Sequence, residues 1–201
     1  MSENNHGMLQ FKIELEHLSI PVWREILIDP QATLEDLHFC IQVVMGWADY
    51  HDHEFVIDEQ HYGYIEQTGI SEPDDNDIHD EAQFLLTDIF KQSEQSIRYT
   101  YDLHDHWYHK ITFIGEVKNS ATDEFAICLS GKNACPPEDA GGVSGYEHLL
   151  NVLKTPNHFE HADVKDWFGD SFSPTQFDLE ETNNNLQAFF AQEDEDYETT
   201  N

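Results

Sequence analysis

Residues 9–46, LQFKIELEHLSIPVWREILIDPQATLEDLHFCIQVVMG, decide the fold of this 201-residue chain. In the first ten of these residues, apolar and polar side chains alternate, which is typical of a half-buried β-strand. One face of that strand carries Leu9, Phe11, Ile13 and Leu15. A turn at residues 19–21 leads into a second apolar run, VWREILI. The two runs are predicted to form a hairpin.

The end of the same segment has the pattern of an amphipathic helix. Thr33 is a suitable N-terminal cap, and Asp36 follows three residues later, as in a capping box with Asp in place of Glu. Gly46 marks the exit of the helix. Apolar residues recur between the two ends at helical spacing: Leu34, Leu37, Ile41, Val44 and Met45.

Residues downstream add further strands. Residues 53–65 predict two short strands around a polar turn, and residues 83–90 predict a short helix. SIRYTYDL (96–103) and WYHKITFIGEV (107–117) predict a second antiparallel pair, and EFAICL (124–129) a last strand.

The texture changes at Gly131, where a stretch rich in Pro and Gly predicts an irregular ordered loop. Three helices are expected after it. Their start signals are Ser144 with Glu147, Asn157 with Glu160, and Ser173 with Pro174 and Gln176, and their stop signals include Pro156 and Gly169.

Strand-forming runs come first and helices last, which favours the α+β class over a doubly wound parallel sheet. We expect a mainly antiparallel sheet, an N-terminal hairpin–helix half that is compatible with a β-grasp-like arrangement, and C-terminal helices packed against it. The predicted organisation is a flexible tail (1–8), one domain (9–190, with a sheet-rich part 9–130 and a loop-plus-helix part 131–190) and a disordered acidic tail (191–201).

Charge is the outlier in the composition. There are 9 Lys and Arg against 41 Asp and Glu, a net charge of −32, and no basic residue lies between Arg24 and Lys91. Nucleic acids and anionic membranes attract basic proteins, so generic binding to either is excluded. Much of the excess falls in residues 66–81, predicted as a mobile loop, and in the C-terminal tail. A basic protein partner, a metal ion or simple solubility are the remaining explanations.

The compartment is predicted to be the cytoplasm. The N-terminus has neither a basic region nor an apolar one that would direct export, and no apolar run is long enough to span a bilayer. The three cysteines are an odd number at unrelated spacings, which is typical of reduced thiols. The oligomeric state cannot be predicted from these features.

Four motifs in order resemble the plasmid pRiA4b ORF-3-like family: IPVWREILI, TLEDLHFCIQVVMGWADYHDHEF, YTYDLHDHWYH and CLSGKNACPPEDAGGVSGYEHLL. The resemblance extends from about Leu9 to Phe190. Members occur on plasmids, other mobile elements and chromosomes, so it implies a fold and a mobile-element setting but no established reaction. The chain departs from the family pattern at His104 and His106, and Ala140 replaces a frequent Cys. Any metal site that depends on that Cys is therefore in doubt here.

Histidines and carboxylates form one candidate site. His53, Asp102, Asp105 and His109 could converge if the strand pair at 96–118 lies beside the strand at 53–58. Neutral imidazole and carboxylate are good ligands for divalent metals, so His53, Asp105 and His109 are the candidate metal ligands. The spacing matches no named metal motif, and structural hydrogen-bonding roles for these histidines are the alternative.

The loop CPPEDAGG (135–142) is a second candidate. Two prolines stiffen the backbone and two glycines permit a close approach, so Glu138 and Asp139 are held on a rigid support, as functional carboxylates often are. The alternative is a structural corner in which the two carboxylates bind backbone N–H groups or pair with Arg24.

Two functions are compatible with the sequence. The first is a non-enzymatic interaction module whose acidic surface engages a basic protein that handles nucleic acid, with nucleic-acid mimicry as a sharper version. The second is a metal-dependent hydrolase that uses the cluster His53, Asp102, Asp105, His109, Glu138 and Asp139, with a divalent metal ion as cofactor. No individual catalytic residue can be assigned.

Overall fold

The structure is a computed structural model that describes residues 7–64, 78–118, 120, 122, 124–169 and 172–199. Its strands are β1 (Met8–Leu15), β2 (Val22–Ile28), β3 (His53–Ile57), β4 (Gln60–Gly63), β5 (Ile78–Asp80), β6 (Ser96–Tyr101), β7 (Trp107–Val117) and β8 (Ala126–Lys132). Its helices are α1 (Leu34–Met45), α2 (Leu86–Ile89), α3 (Gly142–Leu153), α4 (His161–Phe168) and α5 (Leu179–Thr199), with a 3-10 turn at Glu81–Gln83.

The eight strands form one sheet in the order β5-β4-β3-β6-β7-β1-β2-β8. Neighbouring strands are antiparallel except for β4 and β5. β1 pairs with β2 on one side and with β7 on the other, so the N-terminal strand lies inside the sheet. Alternate residues of β1 are buried in the core, as the sequence pattern predicts. The α+β class with a large, mostly antiparallel sheet is confirmed, whereas the β-grasp-like arrangement is not.

The capping box of α1 is confirmed. The Thr33 hydroxyl accepts the Asp36 N–H, and the Asp36 carboxylate accepts the Thr33 N–H. Gly46 ends the helix with φ of 79°, in the left-handed region that favours glycine. The buried face of α1 also carries His38 and Gln42. The helix therefore buries two polar side chains between itself and the sheet, where both bond to the Tyr99 hydroxyl of β6.

The start signals of the C-terminal helices were partly wrong. Gly141, in a left-handed conformation, precedes α3, so Ser144 lies inside the helix and does not cap it. Glu147 instead accepts the Ser19 N–H. α4 has no side-chain cap. α5 begins at Leu179 rather than near Pro174, because residues 173–176 form a turn and Asp178 accepts the Glu181 N–H.

The outer strand β8 is covered by α5. The Asn183 side chain accepts the Cys128 N–H and donates to the Cys128 carbonyl at 2.7 and 3.0 Å. Asn183 thus makes the two hydrogen bonds that a residue of a further strand would make. The phenyl rings of Phe125 and Phe190 pack at 4.7 Å beside this contact.

The remaining expectations concern the segments between and after these elements. Most of the predicted mobile loop lies outside the described residues, and β5 occupies residues 78–80. The backbone of residues 191–199 is helical, as part of α5, where the sequence predicts a disordered tail. Among the described residues, no helix is long and apolar enough to cross a membrane.

Candidate functional site

A cavity of about 550 Å³ opens between the start of α1, the loop at residues 47–52, and strands β3 and β4. Its walls hold five carboxylates and four histidines, and none of the described lining residues is Lys or Arg. The carboxylates are Glu35, Asp49, Asp52, Glu54 and Glu81, and the histidines are His38, His51, His53 and His61. This cavity therefore combines side chains that bind metal ions and transfer protons.

His38 and Asp49 form the first of two histidine–carboxylate pairs at its floor. Nε2 of His38 lies 3.1 Å from Oδ1 of Asp49. Burial lowers the pKa of His38, and the hydrogen bond to Asp49 opposes this only in part, so the ring is neutral at pH 7. Partial burial acts to raise the pKa of Asp49, but the hydrogen bond from His38 is the largest opposing contribution, and the pKa is lowered overall.

His53 and Glu81 form the second pair. Nε2 of His53 lies 2.9 Å from both carboxylate oxygens of Glu81. The two side chains are only 7% and 2% exposed. β3 supplies the histidine, and the 3-10 turn, which packs against α1, supplies the carboxylate, so two residues 28 apart in sequence meet here. A carboxylate is almost never this buried unless it is paired.

The imidazole rings of the two pairs are stacked. The centroids of His38 and His53 are 3.4 Å apart and the planes differ by 6°. The field of His53 contributes to the lowered pKa of His38, as expected for like groups in contact. One ring nitrogen of each histidine and one oxygen of Asp49 lie within 4.8 Å of one another. Two imidazoles and a carboxylate are a donor set suited to zinc, iron or manganese.

Tyr99 and Gln42 hold His38 from behind. The Tyr99 hydroxyl lies 2.8 Å from Nδ1 of His38 and accepts the Gln42 amide N–H at 2.9 Å. Burial raises the pKa of Tyr99 well above its usual range, so the hydroxyl keeps its proton. In this arrangement Tyr99 donates to Nδ1, and Nε2 of His38 donates to Asp49. Oε1 of Gln42 has no hydrogen-bond partner among the described residues.

Reversal of the Gln42 amide gives a second arrangement. Amide oxygen and nitrogen are nearly the same size, so the side chain can turn over in the same space. Tyr99 would then donate to Oε1 of Gln42 and accept the Nδ1–H of His38. Nε2 of His38 would present a lone pair to the cavity. The same three residues therefore support either a proton or a metal ion between His38 and Asp49.

The loop that carries Asp49 is fixed by groups outside the cavity. Trp47 donates its indole N–H to the Pro136 carbonyl at 2.9 Å. Glu138 accepts the Ala48 N–H at 3.1 Å and the Tyr101 hydroxyl at 2.5 Å. The Tyr101 oxygen in turn accepts the Tyr50 N–H. The CPPEDAGG loop is thus a support for the 47–52 loop.

The other predicted site residues do not line the cavity, although the Asp102 carboxylate lies 3.8 Å from Nδ1 of its lining residue His51. Asp102 accepts the N–H groups of His104 and Asp105, and Asp105 packs over Gly142, where an added Cβ would lie 2.7 Å from the Asp105 carbonyl oxygen. Glu138 supports the loop described above, and Asp139 is exposed. The pKa of Asp102 is lowered. Partial burial acts to raise it, but the N–H groups of Asp105 and His104 and the nearby histidines outweigh burial.

His109 is in the core rather than in the cavity. Its Nδ1 bonds to the Trp107 carbonyl at 2.8 Å, and its Nε2 has no hydrogen-bond partner among the described residues. Burial lowers the pKa of His109 to about 3. Of the predicted metal ligands, the structure brings only His53 to the group with His38 and Asp49.

Sequence reasoning did not name His38, Asp49 or Glu81, which form the two pairs together with His53. His38 follows Leu37 on the buried face of α1, and a titratable residue at such a position was the available signal. Asp49 gave no signal, because it lies in a loop whose path depends on distant contacts.

Comparison with known proteins gives relatives over most of the chain. The family model described as plasmid pRiA4b ORF-3-like protein matches residues 7–181. The uncharacterized protein y4hQ of Sinorhizobium fredii is 30% identical over 165 residues, which cover 82% of each chain. A crystal structure of the protein of unknown function MM3350 from Methanosarcina mazei Go1 is 33% identical with a TM-score of 0.77, and the match covers 87% of this chain and 97% of the other.

Proposed function

This chain belongs to the plasmid pRiA4b ORF-3-like protein family, and on that premise we propose that it binds a divalent metal ion in the cavity and uses it for hydrolysis. The observation that carries the proposal is the group of donor atoms from His38, Asp49 and His53 within 4.8 Å of one another. Of the metal ligands expected from the sequence, this proposal keeps His53. Asp49 and His38 take the places of Asp105 and His109.

Each histidine has the outer partner that a metal ligand needs. Nε2 of His53 is held by Glu81, which leaves Nδ1 for a metal. Nε2 of His38 faces Asp49, and Tyr99 accepts the proton on Nδ1 when the Gln42 amide is reversed. Such partners fix the ring orientation and the tautomer of metal-binding histidines. Because each lone pair lies in the plane of its ring, binding by both histidines requires one ring to tilt out of the stack.

The reaction follows from the donor set and its surroundings. A divalent ion bound by these residues lowers the pKa of a water molecule toward neutrality. Glu35 lines the cavity one helical turn before His38 and is suited to accept the proton of that water. Burial, followed by the fields of Glu81, Asp36 and Asp80, raises the pKa of Glu35, which brings it closer to the range of an efficient general base.

Metal binding is tested on protein that has been treated with a chelator and then titrated with Zn²⁺, Co²⁺ and Mn²⁺ by calorimetry. We expect one equivalent to bind to the wild type and the affinity to fall by about 10- to 100-fold in Asp49→Asn and Glu81→Gln. Absorption of the Co²⁺ form reports histidine coordination. His61→Ala is the matched control, since His61 lines the same cavity but pairs with Glu54 at its surface.

Two results would overturn the proposal. The first is the absence of stoichiometric binding to folded wild-type protein. The second is equal affinity in the wild type and in both His38→Ala and His53→Ala. If metal binds but Glu35→Gln leaves hydrolysis unchanged, the metal site stands and the role of Glu35 is refuted.

A second function is favoured by the charge of the chain. We propose that the acidic surface engages a basic protein that handles nucleic acid, because net −32 gives long-range attraction to such a partner. Purified chain immobilised on a resin should retain basic proteins at low salt and release them as the ionic strength rises. Binding that does not respond to salt would refute this function.

A further inference from the structure

The mouth of the cavity is unusually apolar for an exposed surface. Nine large hydrophobic side chains are exposed among the described residues, and four of them line this cavity. These are Tyr50, Tyr64, Ile78 and Leu103, with the two tyrosines 80% and 70% exposed. Exposed apolar side chains that cluster at one opening mark a binding surface, whereas single ones are common everywhere.

The walls below this mouth carry five carboxylates and four histidines. The five carboxylates have histidines as neighbours but no Lys or Arg among the described lining residues. All the lining residues except Leu103 come from positions 25–90, a stretch without a basic residue. Burial, followed by the fields of Glu81, Asp36 and Asp80, raises the pKa of Glu35 against the opposing field of His53.

We propose that the cavity mouth binds a small organic cation, an ammonium group attached to an apolar or aromatic body. The carboxylates attract the charged group, and the faces of Tyr50 and Tyr64 add cation–π attraction. The apolar body packs on Leu103 and Ile78. The volume of about 550 Å³ suits a ligand of drug size. The same field repels phosphate and carboxylate ligands.

As a substrate class, this inference rests on the proposed hydrolysis. The substrate is then an ester or amide that carries an ammonium group. Hydrolysis adds one water: a C–O bond forms at the acyl carbon, the bond from that carbon to the leaving oxygen or nitrogen breaks, and the proton taken up by Glu35 passes to the leaving group. Recognition of the cation does not itself require the metal.

The test uses three probes of similar shape and different charge: 2-phenylethylamine, 2-phenylethanol and 3-phenylpropionate. Binding is measured by calorimetry and ligand-observed NMR on the full chain in the presence of a chelator. We expect saturable 1:1 binding of the amine, affinity at least about tenfold weaker for the alcohol, and no binding of the acid. Raised salt should weaken the amine complex.

Variants assign the binding to the mouth. Tyr50→Ala and Tyr64→Ala should each weaken amine binding by about two- to fivefold. Phe159→Ala is the matched control, since Phe159 is 86% exposed and does not line the cavity, and it should bind as the wild type does. Both tyrosines are on the surface, so these variants are expected to fold.

The outcomes separate this inference from the proposed function. Amine binding without any metal binding supports the inference and overturns the hydrolase. If the protein binds a metal ion but binds the three probes with equal affinity, the metal site is supported and the organic-cation inference is overturned. The inference also fails if the tyrosine variants bind as the control does, or if a Lys- and Arg-rich peptide binds while the amine does not, which would assign the mouth to a protein partner.

Discussion

Replacing Glu81 with alanine removes the carboxylate from the more buried of the two histidine–carboxylate pairs. Both Glu81 oxygens lie 2.9 Å from Nε2 of His53, and the two side chains are 2% and 7% exposed. Alanine offers no acceptor at this position, and both side chains have little contact with solvent at the floor of the cavity. The His53 ring would therefore keep a buried N–H without its acceptor.

The magnitude follows from that burial. A hydrogen bond to a charged group contributes about 1.5–3 kcal/mol, and a buried donor left without a partner costs a similar amount. We expect Glu81→Ala to lower the free energy of unfolding by about 3 kcal/mol. That is a large part of the stability of an ordinary domain.

Urea denaturation followed by fluorescence and circular dichroism measures this loss. Glu54→Ala is a closely matched control, because Glu54 bonds to Nδ1 of His61 at 2.8 Å with side chains 32% and 44% exposed. Its expected loss is about 0–1 kcal/mol. Both pairs join a histidine to a glutamate at a similar distance, so the difference in burial is expected to dominate the difference in stability.

Losses of free energy of unfolding that agree within about 1 kcal/mol in the two variants would contradict this prediction. It would also be refuted if Glu81→Ala were as stable as the wild type with an unchanged denaturant slope. Either result would mean that the Glu81–His53 contact does not persist in solution.

Two further predictions concern stability away from the cavity. The folded chain binds a proton on His109 only near pH 3, whereas the unfolded chain does so near the ordinary value of about 6.5, so this residue contributes stability that is lost as the pH falls from about 6.5 to about 3. The slope for one such group is about 1.4 kcal/mol per pH unit, and urea titrations at stepped pH should show that His109→Gln loses it; an equal slope in both proteins would contradict the assignment. Gly145→Ala places a Cβ 2.0 Å from the Ala140 carbonyl oxygen, so the free energy of unfolding should fall by more than about 2 kcal/mol. The control Ser144→Ala, at an exposed position one residue earlier, should change it by less than about 0.5 kcal/mol, and comparable losses would contradict the close contact.

Local sequence patterns predicted most of the strands and helices, whereas the order of the strands in the sheet could not be predicted from them. Thr33 and Asp36 satisfy each other within one turn, so their pattern alone specifies the start of α1. At α3 the same kind of pattern, Ser144 with Glu147, gave the wrong helix start. Gly141 precedes the helix in a left-handed conformation, and the Glu147 carboxylate accepts the Ser19 N–H instead. β1 lies between β2 and β7 because of packing across the sheet, which no local pattern records.

Only part of the candidate site could be named from the sequence, because its residues meet through contacts between distant segments. The sequence pointed to His53 and to the rigid CPPEDAGG loop, and both bear on the cavity, one from within and one through Ala48 and Tyr101. His109 has the same side chain as His53 but faces the core of the sheet. The choice between core and cavity depends on which residues lie opposite, and that is a property of the tertiary structure.

The Asn183 contact with Cys128 also bears on how the protein behaves at high concentration. A bare strand edge offers its N–H and C=O groups to any extended chain, including another copy, and so invites aggregation. Here one amide side chain occupies both groups at that point of β8. Asn183 therefore opposes edge-to-edge association of two copies at this point of β8. Electrostatic repulsion between copies, each with a net charge of −32, acts in the same direction.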